Sequence, residues 1–95
     1  MSIEMRKLQL LTHSKNMLTA AQQSQWTRFS ELEAGWLVWL QASVEKYGKA
    51  LNSIGSELIN DNQKIQECFI LEQKKMLREL EQSTKNTSSI KSYLK

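Results

Sequence analysis

Ninety-five residues, of which 40% are hydrophobic and 24% charged, are enough for one packed domain, too few for two, and outside the range of disordered chains. The net charge of +3 comes entirely from Lys85, Lys91 and Lys95, because residues 1–82 hold ten basic and ten acidic side chains; a domain so balanced offers phosphates no basic face, and direct nucleic-acid binding is not expected. With no proline and only three glycines, little interrupts a helical backbone, and an all-α chain is expected.

The first element spans residues 3–23. Ile3, Leu10, Ser14, Met17 and Ala21 fall on one stripe, flanked by Leu11 and Leu18, with Ser2 placed as a cap and Glu4 suited to the positive end of the helix dipole. The polar stretch "QQSQ" ends it, and Ser24 is a candidate cap for the second helix. That helix is expected over residues 25–47, where Trp26, Phe29, Trp36, Leu40, Val44 and Tyr47 share a narrow arc at ~100° per residue, widened by Leu32 and Leu37. "YGKALNSIGSE" then reads as a turn or short irregular helix.

A third helix, residues 56–82, has no breaker and reaches roughly 40 Å at ~1.5 Å per residue. One face carries Leu58, Ile65, Cys68, Phe69, Met76 and Leu80; a second line, Ile59, Ile70 and Leu77, lies about 100° round the same helix. After Gln82 the Ser-, Thr- and Asn-rich "STKNTSSIKSYLK" predicts a hinge and a short helical tail whose apolar side is Ile90, Tyr93 and Leu94. The expected architecture is an antiparallel helical hairpin plus a long third helix, a three-helix bundle over residues 1–82, with residues 83–95 as a mobile or docked tail.

Little in this sequence supports catalysis, and no enzyme, cofactor or metal is expected. His13, the lone histidine, lies off the first stripe and reads as a solvated imidazole; Cys68 lies on an apolar face, where a thiol behaves as a small hydrophobe. The three glycines are dispersed and form no phosphate loop. The longest apolar run, "WLVWL", is far below the ~20 residues of a membrane span, the N-terminus lacks a signal-peptide core, and a single cysteine suits a reducing compartment, so a cytoplasmic protein without membrane insertion is expected.

The tryptophans and the second line of the third helix are the candidates for recognition. Trp26 and Trp36 stay on the core arc, whereas Trp39 sits at its border and Val38 on the far side, the pattern of an interaction patch. Ile59, Ile70 and Leu77 either complete the bundle or receive an amphipathic helix from a partner. Bases are poor candidates for stacking here, because "EAGWLVWLQ" carries no interleaved cation.

The order "MLTAAQQSQWTRFSELEAGW", with Ala20 and Ala21 before a polar turn and Trp26, then a long helix and the tail "STKNTSSIKSYLK", in which Ser83, Thr84 and Lys85 precede Ile90 and Tyr93, resembles the FliT family of flagellar export chaperones. The resemblance implies a small cytoplasmic helical protein of the flagellar type III secretion system. Such a protein holds the unassembled filament-cap protein and delivers it to the export gate or its ATPase. It also implies, for some members, binding of the flagellar master transcription activator, and a C-terminal helix that covers the groove. Two other classes remain open on the residues alone: a small helical regulator that binds DNA or a transcription factor, and a self-associating structural protein. Monomer and homodimer are both compatible with the pattern.

Overall fold

A computed structural model of the chain describes the backbone of residues 2–94 and the side chains of residues 2–82. It is all-α: α1 is Ile3–Gln22, α2 Trp26–Glu33, α3 Trp36–Tyr47 and α4 Asn52–Leu94, with a 3-10 turn, Gly48–Leu51, between the last two. Among the described residues no helix is long and apolar enough to cross a membrane.

Each boundary has a local cause. Ser2 caps α1 by accepting the Met5 N–H at 3.2 Å, with Glu4 in the first turn. The end of α1 is a Schellman turn: Gln25 N–H donates to the Ala20 carbonyl at 2.8 Å and Ser24 N–H to the Ala21 carbonyl at 3.1 Å. Ser24 takes the left-handed position, φ 56°, that glycine usually fills. Its expected role as the cap of the second helix is not realised, since Gln25 holds that place without a side-chain bond.

The single helix expected over residues 25–47 is two. Gly35 adopts φ 76°, in the left-handed region, and Ala34 before it is extended at ψ 119°, so the helical path ends at Glu33 and restarts at Trp36. Bonds from Ala34 N–H to Ser30 and from Trp39 N–H to Gly35 close the two sides of this elbow.

The core is built on α1. Met17, Leu18, Ala20 and Ala21 meet Phe29 of α2 and Ile65 of α4 in one buried cluster, while Leu10 meets Leu51 and Ile54 in a second. The matching order of partners, Leu10 with Ile54, Ser14 with Asp61 and Met17 with Ile65, makes α1 and α4 parallel, with α2 and α3 running back between their ends. Asp61 is fully buried at this seam (0% exposed) and is satisfied there, accepting the Ser14 hydroxyl at 2.8 Å and the Lys15 ammonium at 2.7 Å.

The expected three-helix bundle with a tail is therefore corrected. The path is up, down and up, but α2–α3 and α4 both lean on α1 and scarcely pack on each other. Moreover α4 is one helix of 43 residues, about 64 Å at ~1.5 Å per residue, and it sets the long dimension of a 67 × 20 × 18 Å molecule. No break in the helix occurs at the hinge expected after Gln82. The side chains of Ile90, Tyr93 and Leu94, expected as tail contacts, lie outside the described residues.

Candidate partner-binding groove

Because α2–α3 and α4 both rest on α1 and touch each other directly through few side chains, an open groove runs between them. Its α2–α3 wall is Phe29, Glu33, Trp36, Leu37 and Leu40. The α4 wall is Leu58, Ile59, Asn62, Ile65, Gln66 and Phe69, and Ser14 and Met17 of α1 form the floor. The space measures about 410 Å³. A second hollow of about 330 Å³ shares Phe29, Glu33 and Phe69 with the first and continues toward Trp26, Glu72, Gln73 and Met76.

An aromatic saddle separates the two hollows. Trp26 stacks on Phe69 with centroids 4.9 Å apart and planes 23° off parallel, and Phe29 meets Phe69 edge-on at 5.3 Å. These offset and T-shaped arrangements suit the ring quadrupoles. They are also the main bridge from α2 to α4, so the groove narrows there and opens on either side. Apart from Glu33 and Glu72, the side chains lining the two hollows are uncharged, which gives an apolar channel with acidic rims.

The elbow that positions the α3 wall is held by His13. Its Nε2–H donates to the Leu32 carbonyl, its ring stacks on Trp36 at 5.0 Å and 11°, and Trp39 approaches it edge-on at 5.7 Å. The sequence reading of His13 as a solvated imidazole is thus corrected: the ring is half-buried and ties α1 to the α2–α3 junction. Farther along α3, Arg6 lies over Trp39 at 5.6 Å and over Tyr47 at 5.8 Å, and donates from Nη1 to Ser43 at 3.4 Å. The Asp61 hydrogen bond, opposed by desolvation and aided by the charges of Asp61 and Glu57, raises the Lys15 ammonium above 10.5.

The five residues named from sequence do not converge on one place. Ile59 lines the groove and is 61% exposed. Ile70 and Leu77, 51% and 58% exposed, stand eleven and eighteen residues beyond it, on the same side of α4. Val38 is 71% exposed but turned away from the groove on α3. Trp39 is half-buried in the seam between α3 and α1, facing Arg6 and His13.

Sequence reasoning missed Leu37, Leu40 and Phe29 as groove walls and Asp61 as a buried anchor. Leu37 was visible only as an edge of an arc drawn for an unbroken helix; the turn at Gly35 changes which residues of α3 face α4. Among the described residues no group of three or more His, Cys, Asp or Glu side chains is placed to hold a metal ion. Comparisons with family models, with curated proteins and with solved structures gave no match.

Proposed function

We propose that this chain is a cytoplasmic helix-binding chaperone of the flagellar export kind, whose groove between α2–α3 and α4 takes an amphipathic helix from the unassembled filament-cap protein. The observation that carries this reading is the open channel itself. A helix laid between Leu37 and Leu40 on one side and Ile59, Ile65 and Phe69 on the other occupies the place a fourth helix holds in a closed bundle. Exposed aliphatic side chains along one line are poor neighbours for water, and covering a client's own apolar stripe with them keeps both from aggregating. The partner class comes from the sequence resemblance, and binding, rather than catalysis, is the activity proposed.

Gel filtration of the chain with the C-terminal region of a filament-cap protein tests it. A one-to-one complex is expected, and Ile59→Asp, which sets a charge inside the channel without touching the α1 core, is expected to abolish it with helix content unchanged. Absence of a complex with the unaltered chain at tens of micromolar, or a complex indifferent to Ile59→Asp, refutes the assignment.

A further inference from the structure

We infer that the second hollow of the groove receives one arginine side chain of the client helix, held between Glu33 and Glu72 against the aromatic saddle. The inference rests on the groove reading above and adds the chemistry by which a client is told from other amphipathic helices.

The first observation is a carboxylate out of place. Along α4, Ile54, Leu58, Asp61, Ile65, Cys68 and Glu72 recur at alternating steps of four and three residues, the spacing that keeps one face of a helix on its neighbours. All six are buried or half-buried, and two of them are acids. Asp61 is matched inside the chain, by the Ser14 hydroxyl and the Lys15 ammonium. Glu72, on the same face, has no hydrogen-bonding or ionic partner among the described residues. A carboxylate withdrawn from water on a packing face costs stability unless a cation meets it. Lys15 of α1 is that cation for Asp61, whereas α1 contributes no side chain to the hollow that holds Glu72.

The second observation is what surrounds Glu72. Glu33 enters the same hollow from α2, so two negative charges share a space of about 330 Å³ whose lining contains no cation. Like charges so placed repel unless a positive group lies between them. The other walls are the rings of Trp26, Phe29 and Phe69 and the side chain of Met76. A guanidinium uses all of these: its plane lies on aromatic rings, its fork of N–H donors reaches two carboxylates, and its methylene stem covers apolar surface. The chain makes the aromatic half of this arrangement for itself at Arg6, whose guanidinium lies 5.6 Å from the Trp39 ring centre and 5.8 Å from that of Tyr47.

These positions set the pattern a client must carry. Its apolar residues lie against Leu37, Ile59 and Ile65 in the first hollow. Its arginine stands about two helical turns past the residue that meets Ile65, because Glu72 follows Ile65 by seven residues, or ~10 Å. A helix with the same apolar stripe and no arginine leaves both glutamates without a cation and is discriminated against.

Fluorescence anisotropy with synthetic helical peptides of about 18 residues, long enough to span both hollows, tests this. Each carries leucines at heptad spacing on an otherwise uncharged helix, with either arginine or glutamine two turns beyond a central leucine. Each is made with that residue toward the N-terminal or toward the C-terminal end, so both directions of entry are sampled. In one direction the arginine peptide is expected to bind the full chain about tenfold more tightly than its glutamine counterpart, an advantage that shrinks to about twofold at ~0.5 M salt. Glu33→Gln combined with Glu72→Gln is expected to abolish the advantage without weakening the glutamine peptide or lowering the helical circular dichroism. Glu72→Arg is expected to reverse the preference toward a peptide with glutamate at that position, which a glutamate of purely structural role does not do. Equal affinity for the arginine and glutamine peptides, or an advantage that survives the double substitution, overturns the inference. If both peptides then still bind and both are lost with Ile59→Asp, the groove reading stands without it; if no peptide binds, both fall.

Discussion

Asp61 is the residue on which the α1–α4 seam should depend most, and its replacement separates two accounts of that seam. The carboxylate is wholly shielded from water and accepts two hydrogen bonds, one from the buried Ser14 hydroxyl and one from the half-exposed Lys15 ammonium. Asp61→Ala removes both. It leaves the Ser14 hydroxyl buried without its acceptor, at about 1–3 kcal/mol, while Lys15 turns out into solvent. Against this stands the relief of no longer burying a charge, so the net loss is smaller than for a wholly enclosed ion pair, about 2–3 kcal/mol. In a small domain that is a large share of the total. Urea unfolding followed by circular dichroism and by tryptophan fluorescence gives the number, with an unchanged m value showing that both variants unfold the same structure. Ser14→Ala alone should cost about 1 kcal/mol, and the double variant should fall short of the sum by about 1 kcal/mol because the two side chains share one bond. Strict additivity, or an Asp61→Ala protein as stable as the parent, would show that the buried carboxylate is not what registers α1 against α4.

The same geometry leads to four further outcomes. The Lys15 ammonium is raised above 10.5 by the Asp61 hydrogen bond, so its contribution is complete below pH 10.5 and disappears as pH climbs through the raised folded value; the stability gap between the parent and Lys15→Met should therefore be flat across neutral pH and close only in alkaline solution. Ser24→Gly should stabilise the chain by up to about 1 kcal/mol, since Ser24 holds φ 56° at the Schellman turn, as a rise in the urea midpoint would register. Gly35→Ala should cost about 1 kcal/mol in the same assay although a Cβ there meets nothing within 4 Å, because the cost lies in φ 76° and not in crowding. Trp26→Phe should be nearly neutral or mildly stabilising, since the indole Nε1–H is buried without a partner and the stacking on Phe69 survives the change; a loss above about 2 kcal/mol by thermal melting would contradict this.

Much of this fold was legible because its signals are local. The stripe Leu10, Ser14, Met17 and Ala21 placed the buried face of α1, and Ser2 marked its start, since helical periodicity and caps depend on residues three or four apart. The second line of α4 was legible for the same reason, and Ile59, Ile70 and Leu77 are exposed along it. What failed depended on one backbone angle or on distant partners. Gly35 within an otherwise helical arc gave a weak sign of a break, and only its positive φ divides residues 25–47 into two helices. His13 lies off its own helix's stripe, and the carbonyl and indole that enclose it come from residues nineteen or more positions away. Asp61 reads as one more polar residue in "INDNQK", because burial of a carboxylate is decided by Ser14 and Lys15 across the seam.

These two kinds of residue together explain why the molecule has an unfilled side. Had residues 25–47 formed one straight helix, its arc from Trp26 to Tyr47 would have faced a single neighbour, and the second line of α4 would have stayed outside. The elbow at Gly35 lets Phe29 reach Phe69 while Leu37 and Leu40 stand back from Leu58 and Ile59. His13 keeps the elbow docked on α1, so the α3 wall cannot swing across to close on α4 without giving up the Leu32 bond and the Trp36 stack. The channel is therefore held open from behind its wall, by His13 of α1, which does not itself line it. His13→Ala should reduce occupancy of the groove by a client's helix, with every residue lining the channel left in place.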